Sequence, residues 1–579
     1  MLKRLALCVR EYKKDTIISP ILVVGEVVLE VLIPLLMAGL IDNGIEKGNM
    51  SYVLKIGAVL LAATVVSLLF GMLSASTAAR ASTGFAKNMR KDLYYKVQDF
   101  SFSNIDKFST AGIVTRLTTD VSNIQNSFMM LIRVAARCPL MLIFSLVMSF
   151  SINSRLALIF VAIMPFLAAA LYLIVRKAHP LFEKIFKTYD KLNNVVQENL
   201  RGIRVVKAFV REEHEKEKFN AVSEDIYRDF SRAEKIISFN MPVMQLAVNV
   251  ATILIAWFGA KMIINGAGSM TTGKLMSFMT YTMQVLMSLM MLSMVFVMIV
   301  ISRASAERVC EILDEEPEIR DPAQPVYTVA DGSISFENVS FSYTNDKNKL
   351  CLFDVDLDIK SGETVGIIGG TGSSKSTLVQ LIPRLYDATE GTVKVGGLDV
   401  KQYDLQAIRN AVAMVLQKNE LFSGTIKENL RWGNEEADDE ELVRVCRAAQ
   451  ADEFISKLPD GYDTYIEQGG ANVSGGQKQR ICIARALLKH PKVLILDDST
   501  SAVDMHTDAL IHEAFRNEFA DVTKIIIAQR ISSVEKADKI IVMDEGRVNA
   551  VGTHEQLLQT NEIYKEVYYS QVKGAAENG

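Results

Sequence analysis

The chain has 579 residues, 49% of them hydrophobic, with a mean hydropathy of +0.19 and a formal net charge of −4. That length predicts several domains, and so apolar a composition is unusual for a soluble protein of this size. The near-balanced charge excludes a global basic field for nucleic acid, and the six cysteines, scattered without a CxxC pair, read as reduced packing residues rather than a disulfide framework or zinc site.

Lys3, Arg4, Arg10, Lys13 and Lys14 precede an apolar run that reaches Leu40. The run is too long for a secretory signal and ends without a small-residue cleavage site, so it reads as a first membrane helix. Runs near 16–42, 56–79, 138–154, 156–175, 237–260 and 275–302 are candidate spans, a bilayer needing about 20 apolar residues. Asn153, Ser154 and Arg155 divide the third from the fourth, which predicts a tight hairpin. The connections at 43–52, 151–155 and 261–274 are short and poor in Lys and Arg, whereas those at 80–137 and 176–236 are long, charged and helically patterned. This asymmetry assigns the long connections and both termini to the cytoplasmic side of a cell membrane. The patterning also predicts that membrane helices continue well past the bilayer.

Two features inside the spans are candidates for substrate contact. Glu26 and Glu30 lie one turn apart on one face of the first run. Ionisable groups at such depth either contact substrate, line a water-filled vestibule or pair with a basic residue. Met276, Met279, Met283, Met287, Met290, Met294 and Met298 recur at spacings of three or four, which is one helix face. That stripe is either ordinary packing or a soft wall for varied apolar ligands, with Met283, Met287, Met290 and Met294 as the candidate contacts.

Residues 1–318 are thus expected to form a membrane domain, the charged and Pro-containing stretch 319–332 a linker, 333–571 a second domain and 572–579 a tail. Past the linker, short β-branched strands (333–343, 364–368, 412–416, 493–496, 524–527) alternate with helices, the rhythm of an α/β domain. Directly after the second of these come Gly369, Gly370, Thr371, Gly372, Ser373, Ser374, Lys375, Ser376 and Thr377. A small-residue loop between a buried strand and a helix start points backbone N–H groups and a helix N-terminus at an anion. Lys375 would reach the β/γ-phosphates of ATP and Ser376 would hold Mg²⁺. The strand at 493–496 delivers Asp497 and Asp498 to the edge where ligands bind in open α/β sheets, and Asp497 suits a Mg²⁺ contact through water. Val473, Ser474, Gly475, Gly476 and Gln477 open a basic helix and form a second phosphate-binding surface.

In this order and spacing the motifs resemble a half-transporter of the ATP-binding cassette (ABC) family, of multidrug-exporter type, over essentially the whole chain. The resemblance implies an all-α six-span membrane domain followed by an α/β P-loop ATPase domain. It implies that Tyr343 stacks on adenine and that residues 369–377 are the Walker A loop. It implies that Gln417 touches Mg²⁺ and senses the membrane domain, that Ser474–Gln477 is the signature, that Asp497 is the Walker B aspartate and that residues 501–504 are the D-loop. Residues 115–120 and 201–209 resemble the cytoplasmic segments that carry coupling helices.

Three positions depart from the family pattern. Asp498 stands where a catalytic Glu is expected, Gln529 where a switch His is expected, and Ser374 where a Gly precedes the Walker A Lys. The shorter carboxylate and the neutral amide weaken general-base chemistry and transition-state stabilisation. A Cβ at a left-handed position would cost about 1–2 kcal/mol. The asymmetry between these positions and the intact signature resembles one half of a heterodimeric exporter, against which stands the plainer homodimer. A peptide or lipid exporter of the same architecture and a nucleotide-gated regulatory or channel subunit are rival readings of the same motifs.

Overall fold

The computed structural model describes residues 1–265, 270–498 and 503–577, and the chain divides into two compact units. Met1–Gln98 with Thr110–Glu315 form the first, and Asp99–Ser109 with Glu316–Gly579 the second.

The first unit is helical. Among the described residues six helices are long and apolar enough to cross a membrane. Met50–Gln98 runs for 49 residues and Ser154–Arg201 for 48, each roughly 70 Å at 1.5 Å per residue, about twice the hydrocarbon thickness. The expected hairpin is present: the Asn153 side chain accepts from the N–H groups of Arg155 and Leu156, capping the new helix one residue after the old one ends at Ile152. Lys13–Leu40 contains Pro34, whose missing N–H leaves the Glu30 carbonyl without its helical donor. The Gln284 side chain, on Thr272–Asp314, donates to that carbonyl at 3.4 Å, and Tyr281 donates to Val31 at 2.7 Å. These two backbone carbonyls are thus satisfied by side chains of a neighbouring helix.

The second unit is α/β. A six-stranded sheet runs in the order Arg547–Gly552, Lys539–Asp544, Thr364–Gly369, Thr523–Ile527, Val493–Asp497 and Val412–Val415, parallel except for its first pair. A second, antiparallel sheet orders Leu352–Ile359, Ile334–Phe341, Glu390–Val395 and Leu398–Asp399. The central strands are buried on both faces, which explains their unbroken apolar sequence. The stretch at 319–332 is pinned to this unit: Val326 donates to Gln402, Leu405 donates to the Asp321 carboxylate, and Lys492 reaches the carbonyls of Val329 and Ala330.

Residues 115–120 lie in the first unit, where they continue into Val121–Ile152. The segment grouped with the ATPase unit is Asp99–Ser109, a short helix at Phe102–Phe108 opened by a Ser101/Asn104 capping box. Residues 115–120 keep helical backbone throughout, whereas the chain breaks at Ser101 and Ser109 on either side of Phe102–Phe108.

Candidate functional site

Strand register assembles the site. Ile527 pairs with Asp497 on one side and Ile367 on the other, so the phosphate loop, the two aspartates and Gln529 all leave the sheet at one edge. The loop turns after Gly369, where a Cβ would stand 2.2 Å from the Met543 carbonyl oxygen. Gly372 takes φ 84° with open space on its Cβ side, a left-handed turn that glycine adopts at little cost. Thr371 is exposed at the tip, and the buried Ser373 donates back to the Gly370 carbonyl at 2.9 Å. Ser374 caps Lys375–Gln380 with left-handed backbone, φ 65° and ψ 25°. The position suspected from sequence of needing a glycine-like conformation does adopt one.

Lys375 donates to the carbonyls of Gly369 (2.9 Å) and Gly370 (2.7 Å). Ser376 donates to Asp497 Oδ1 at 2.9 Å, and Asp497 is 3% exposed. Burial pushes the Asp497 carboxyl above its ordinary value and the charge of Asp498 adds to this, against the Ser376 hydroxyl and Lys375. Burial lowers the Lys375 ammonium, against the attraction of the same two carboxylates. Asp498 sits at φ 49° with its N–H on the Ile527 carbonyl. Gln529 Nε2 donates to Asp498 Oδ2 at 2.8 Å. Burial raises the Asp498 carboxyl, while hydrogen bonds from Gln529 and the exposed Gln417 pull it down.

These residues fit the groups their motifs imply. A buried carboxylate and a serine hydroxyl 2.9 Å apart form an all-oxygen donor set suited to a hard divalent cation, and Gln417 hydrogen-bonds the adjacent Asp498. The small-residue loop around Lys375, opening a helix at Ser374, fits a polyphosphate.

Tyr343 is 45% exposed, and its hydroxyl shares a 3.0 Å hydrogen bond with Thr377 Oγ1. Its ring meets that of Tyr386 edge-on at 5.2 Å. Tyr386 in turn donates to the Asp106 carboxylate at 2.7 Å and lies 6.0 Å from the Phe102 ring. Sequence reasoning missed Tyr386, because its significance comes from a contact 280 positions away in the chain.

The signature residues form a separate surface. Ser474 accepts from Gln477 N–H, and the Gln477 side chain accepts from Ser474 N–H, a capping box opening Gly475–Leu487. Ser474, Gly475, Gly476, Arg480, Val503 and Asp504 line a hollow of about 320 Å³. Ser501 and Ala502 of the expected D-loop lie outside the described residues.

In the membrane unit, Glu26 and Glu30 converge on Arg137, at 3.4 and 2.7 Å. Arg137 was not among the residues singled out from sequence, although a lone Arg next to the Cys138–Pro139 start of an apolar run is a readable signal. The methionine stripe divides. Met276, Met283, Met287 and Met294 are more than half exposed, whereas Met290 packs against a cluster of Leu167, Met244 and Leu286.

Comparison with known proteins agrees with this architecture. Residues 16–305 match the model of the ABC transporter transmembrane region, and residues 352–501 that of the ABC transporter domain. An uncharacterized ABC transporter ATP-binding protein of Bacillus subtilis, YfiB, is 38% identical over 96% of both chains. The ATP-dependent lipid A-core flippase of Desulfotalea psychrophila is 34% identical over 83% of this chain and 85% of its own. A fatty acid ABC transporter ATP-binding/permease protein of Mycobacterium bovis is 34% identical over 83% and 75%. The structure of a bacterial Atm1-family ABC exporter with ATP bound superposes with a TM-score of 0.81 at 25% identity, covering 96% of this chain and 98% of that one. With relatives matched along its length and both family models found in order, the chain belongs to the ABC transporter family as an exporter with a six-span helical region and an ATPase domain that couples ATP hydrolysis to transport.

Proposed function

We propose that this chain is one half of a paired exporter whose own phosphate-loop site binds MgATP and hydrolyses it slowly. Its signature surface completes a second, competent site with the Walker motifs of a different half-transporter. The observation that carries this reading is the 2.8 Å hydrogen bond from the Gln529 amide to Asp498. The carboxylate in the base position is one methylene short and is engaged by a group that cannot take up a positive charge. A general base must reach its water within roughly 2.6–3.2 Å, and charge developing on the phosphoryl group finds no cationic switch residue there.

In this reading Tyr343 offers its ring to adenine, the N–H groups around 370–376 cradle the phosphates, and Lys375 exchanges its loop carbonyls for phosphate oxygens. Ser376, Asp497 and Gln417 would hold Mg²⁺, which when bound neutralises and orients the phosphates. Ser474, Gly475, Gly476 and Gln477 present a helix N-terminus to the partner's nucleotide. Closure of the paired ATPase units then turns the membrane cavity outward. The protein lies in the cell membrane with its nucleotide domain and both termini in the cytoplasm, in keeping with the basic N-terminal tail and long connections.

The exported substrate is a small hydrophobic or amphipathic compound, supported by the exposed methionine face at Met276, Met283, Met287 and Met294. Glu26 and Glu30 serve the bundle through Arg137 in this account, so Glu30→Gln leaves transport of cationic dyes intact. Loss of cation transport in that variant returns the carboxylates to the substrate path. A lipid substrate is the second reading, favoured by the names of two relatives, a lipid A-core flippase and a fatty acid transporter. Uptake of a hydrophobic dye and of a fluorescent lipid into inside-out vesicles separates the two. Hydrolysis that requires a partner chain and survives Asp498→Asn supports the asymmetric pair. Full hydrolysis by this chain alone rejects it.

A further inference from the structure

We propose that Gln571, on the last helix, is a positioning residue for the γ-phosphate end of the nucleotide site. Its side-chain amide bridges the backbone of the switch segment: Oε1 accepts from the Ile531 N–H at 2.9 Å, and Nε2 donates to the Gln529 carbonyl at 2.8 Å. Because one partner is a donor and the other an acceptor, the amide has one orientation that satisfies both. The pair of bonds acts as a rung of a β-ladder on a segment that has left the sheet after Ile527.

The clamp is itself anchored. Tyr564, two turns earlier on Glu562–Glu577, is fully buried in the core of the unit, and its hydroxyl bonds His554 Nδ1 at 2.7 Å. Positions seven apart share a helix face, so burial of Tyr564 aims Gln571 at the switch. Ile531 is 2% exposed, which leaves its N–H few alternatives to the Gln571 oxygen. With the Gln529 backbone fixed in this way, its side chain reaches Asp498 at 2.8 Å. The last helix thus sets where the switch amide stands, without touching nucleotide.

This inference rests on the proposed function and takes Gln529, at the switch position beside Asp498, as the amide that donates to the γ-phosphate, and its test separates the two. In the full chain in lipid nanodiscs, affinities for MgATP and MgADP are measured by displacement of a fluorescent ATP analogue, for wild type, Gln571→Leu, Gln571→Glu, Gln529→Ala and the Gln571→Leu/Gln529→Ala double variant. ADP lacks the γ-phosphate and reports the rest of the site. The expected result for Gln571→Leu is ATP affinity lowered about three- to tenfold with ADP affinity unchanged, the scale of a weakened charge-assisted hydrogen bond. Gln571→Glu keeps the acceptor for Ile531 but sets a carboxylate oxygen against the Gln529 carbonyl, so it loses ATP affinity at least as much as Gln571→Leu. The double variant falls no further than Gln529→Ala alone, because both act through one amide. Hydrogen exchange at residues 529–533 quickens in Gln571→Leu. If Gln529→Ala lowers ATP affinity and Gln571→Leu does not, the positioning role is wrong and the switch reading stands. If Gln529→Ala changes nothing, both fall. Equal losses for ATP and ADP make Gln571 a folding residue only and overturn the proposal.

Discussion

The ATPase unit presents two faces proposed to bind phosphate, and they are built to different standards. At the signature, Ser474 has ordinary extended backbone (φ −69°), a reciprocal capping box and a regular helix behind it. At the phosphate loop, two non-glycine residues hold left-handed backbone, Ser374 at φ 65° and Asp498 at φ 49°. Both are among the three positions that depart from the family pattern, and the third, Gln529, is bonded to one of them. The departures are therefore one local alteration of one face, while the other face keeps its form. That contrast is what favours a chain that lends a good signature to a partner and keeps a weakened site for itself.

The largest expected effect tests whether the faces are separable. Lys375→Ala removes the ammonium under the phosphates and lowers MgATP affinity of this chain about a hundredfold, by loss of two charge-assisted hydrogen bonds. Gly476→Asp leaves that affinity within about twofold, since the signature surface has its own lining, yet stops hydrolysis in the paired assembly. Equilibrium binding and steady-state hydrolysis on the two variants check this, and a common loss of binding would merge the faces.

The next effect is on pH. The carboxyls of Asp497 and Asp498 are raised by burial, so the folded state holds their protons more tightly than the unfolded chain does. Without nucleotide, the stability of the unit therefore rises as pH falls through their folded pKa values toward the ordinary carboxylate range, and is lost as pH rises. Mg²⁺ needs the carboxylate, so MgATP affinity falls over the same acidic window. Calorimetric melting and nucleotide titration should move in opposite directions. Asp504, beside the signature, has its carboxyl lowered by hydrogen bonds at Thr507, the opposite direction to Asp497 and Asp498.

Smaller effects concern backbone and caps. Ser374→Gly relieves left-handed strain of about 1 kcal/mol, raising the melting temperature of the ATPase unit by roughly 2–4 °C. Ser474→Ala removes a helix cap and costs about 1 kcal/mol, with a drop of similar size. Equal and opposite shifts of this kind would quantify the contrast, and a destabilising Ser374→Gly would refute the strain.

Legibility in the sequence follows the same physics. The five strands read from the sequence are present; the four of the parallel sheet are almost wholly buried and rich in Val, Ile and Leu, whereas Ile334–Phe341, exposed at Glu337 and Asn338, mixes polar and apolar residues. Strands of weaker pattern escape such a reading. Leu352–Ile359 alternates apolar and acidic residues as a half-buried strand does, and Arg547–Gly552, at the sheet edge, has no buried position to give it a pattern. The phosphate loop, aspartates, Gln417 and signature were legible because each is a short local motif. The Tyr386–Asp106 contact and the Gln571 clamp were not, since each joins residues from separate elements with no local signature, whereas at Glu26 and Glu30 the carboxylates were legible and only their pairing with Arg137 was not. The methionine stripe was legible as a helical face, but which of its members pack, as Met290 does, depends on neighbouring helices.

The most direct test is single-turnover hydrolysis of bound, γ-labelled ATP by this chain in lipid, comparing wild type with Asp498→Asn and with the Asp498→Glu/Gln529→His double variant. The account predicts that wild type and Asp498→Asn differ by less than about threefold, and that the double variant is at least about tenfold faster, the scale of a restored general base. Rapid wild-type turnover that Asp498→Asn abolishes would make Asp498 a working base, and the two faces would then be equals.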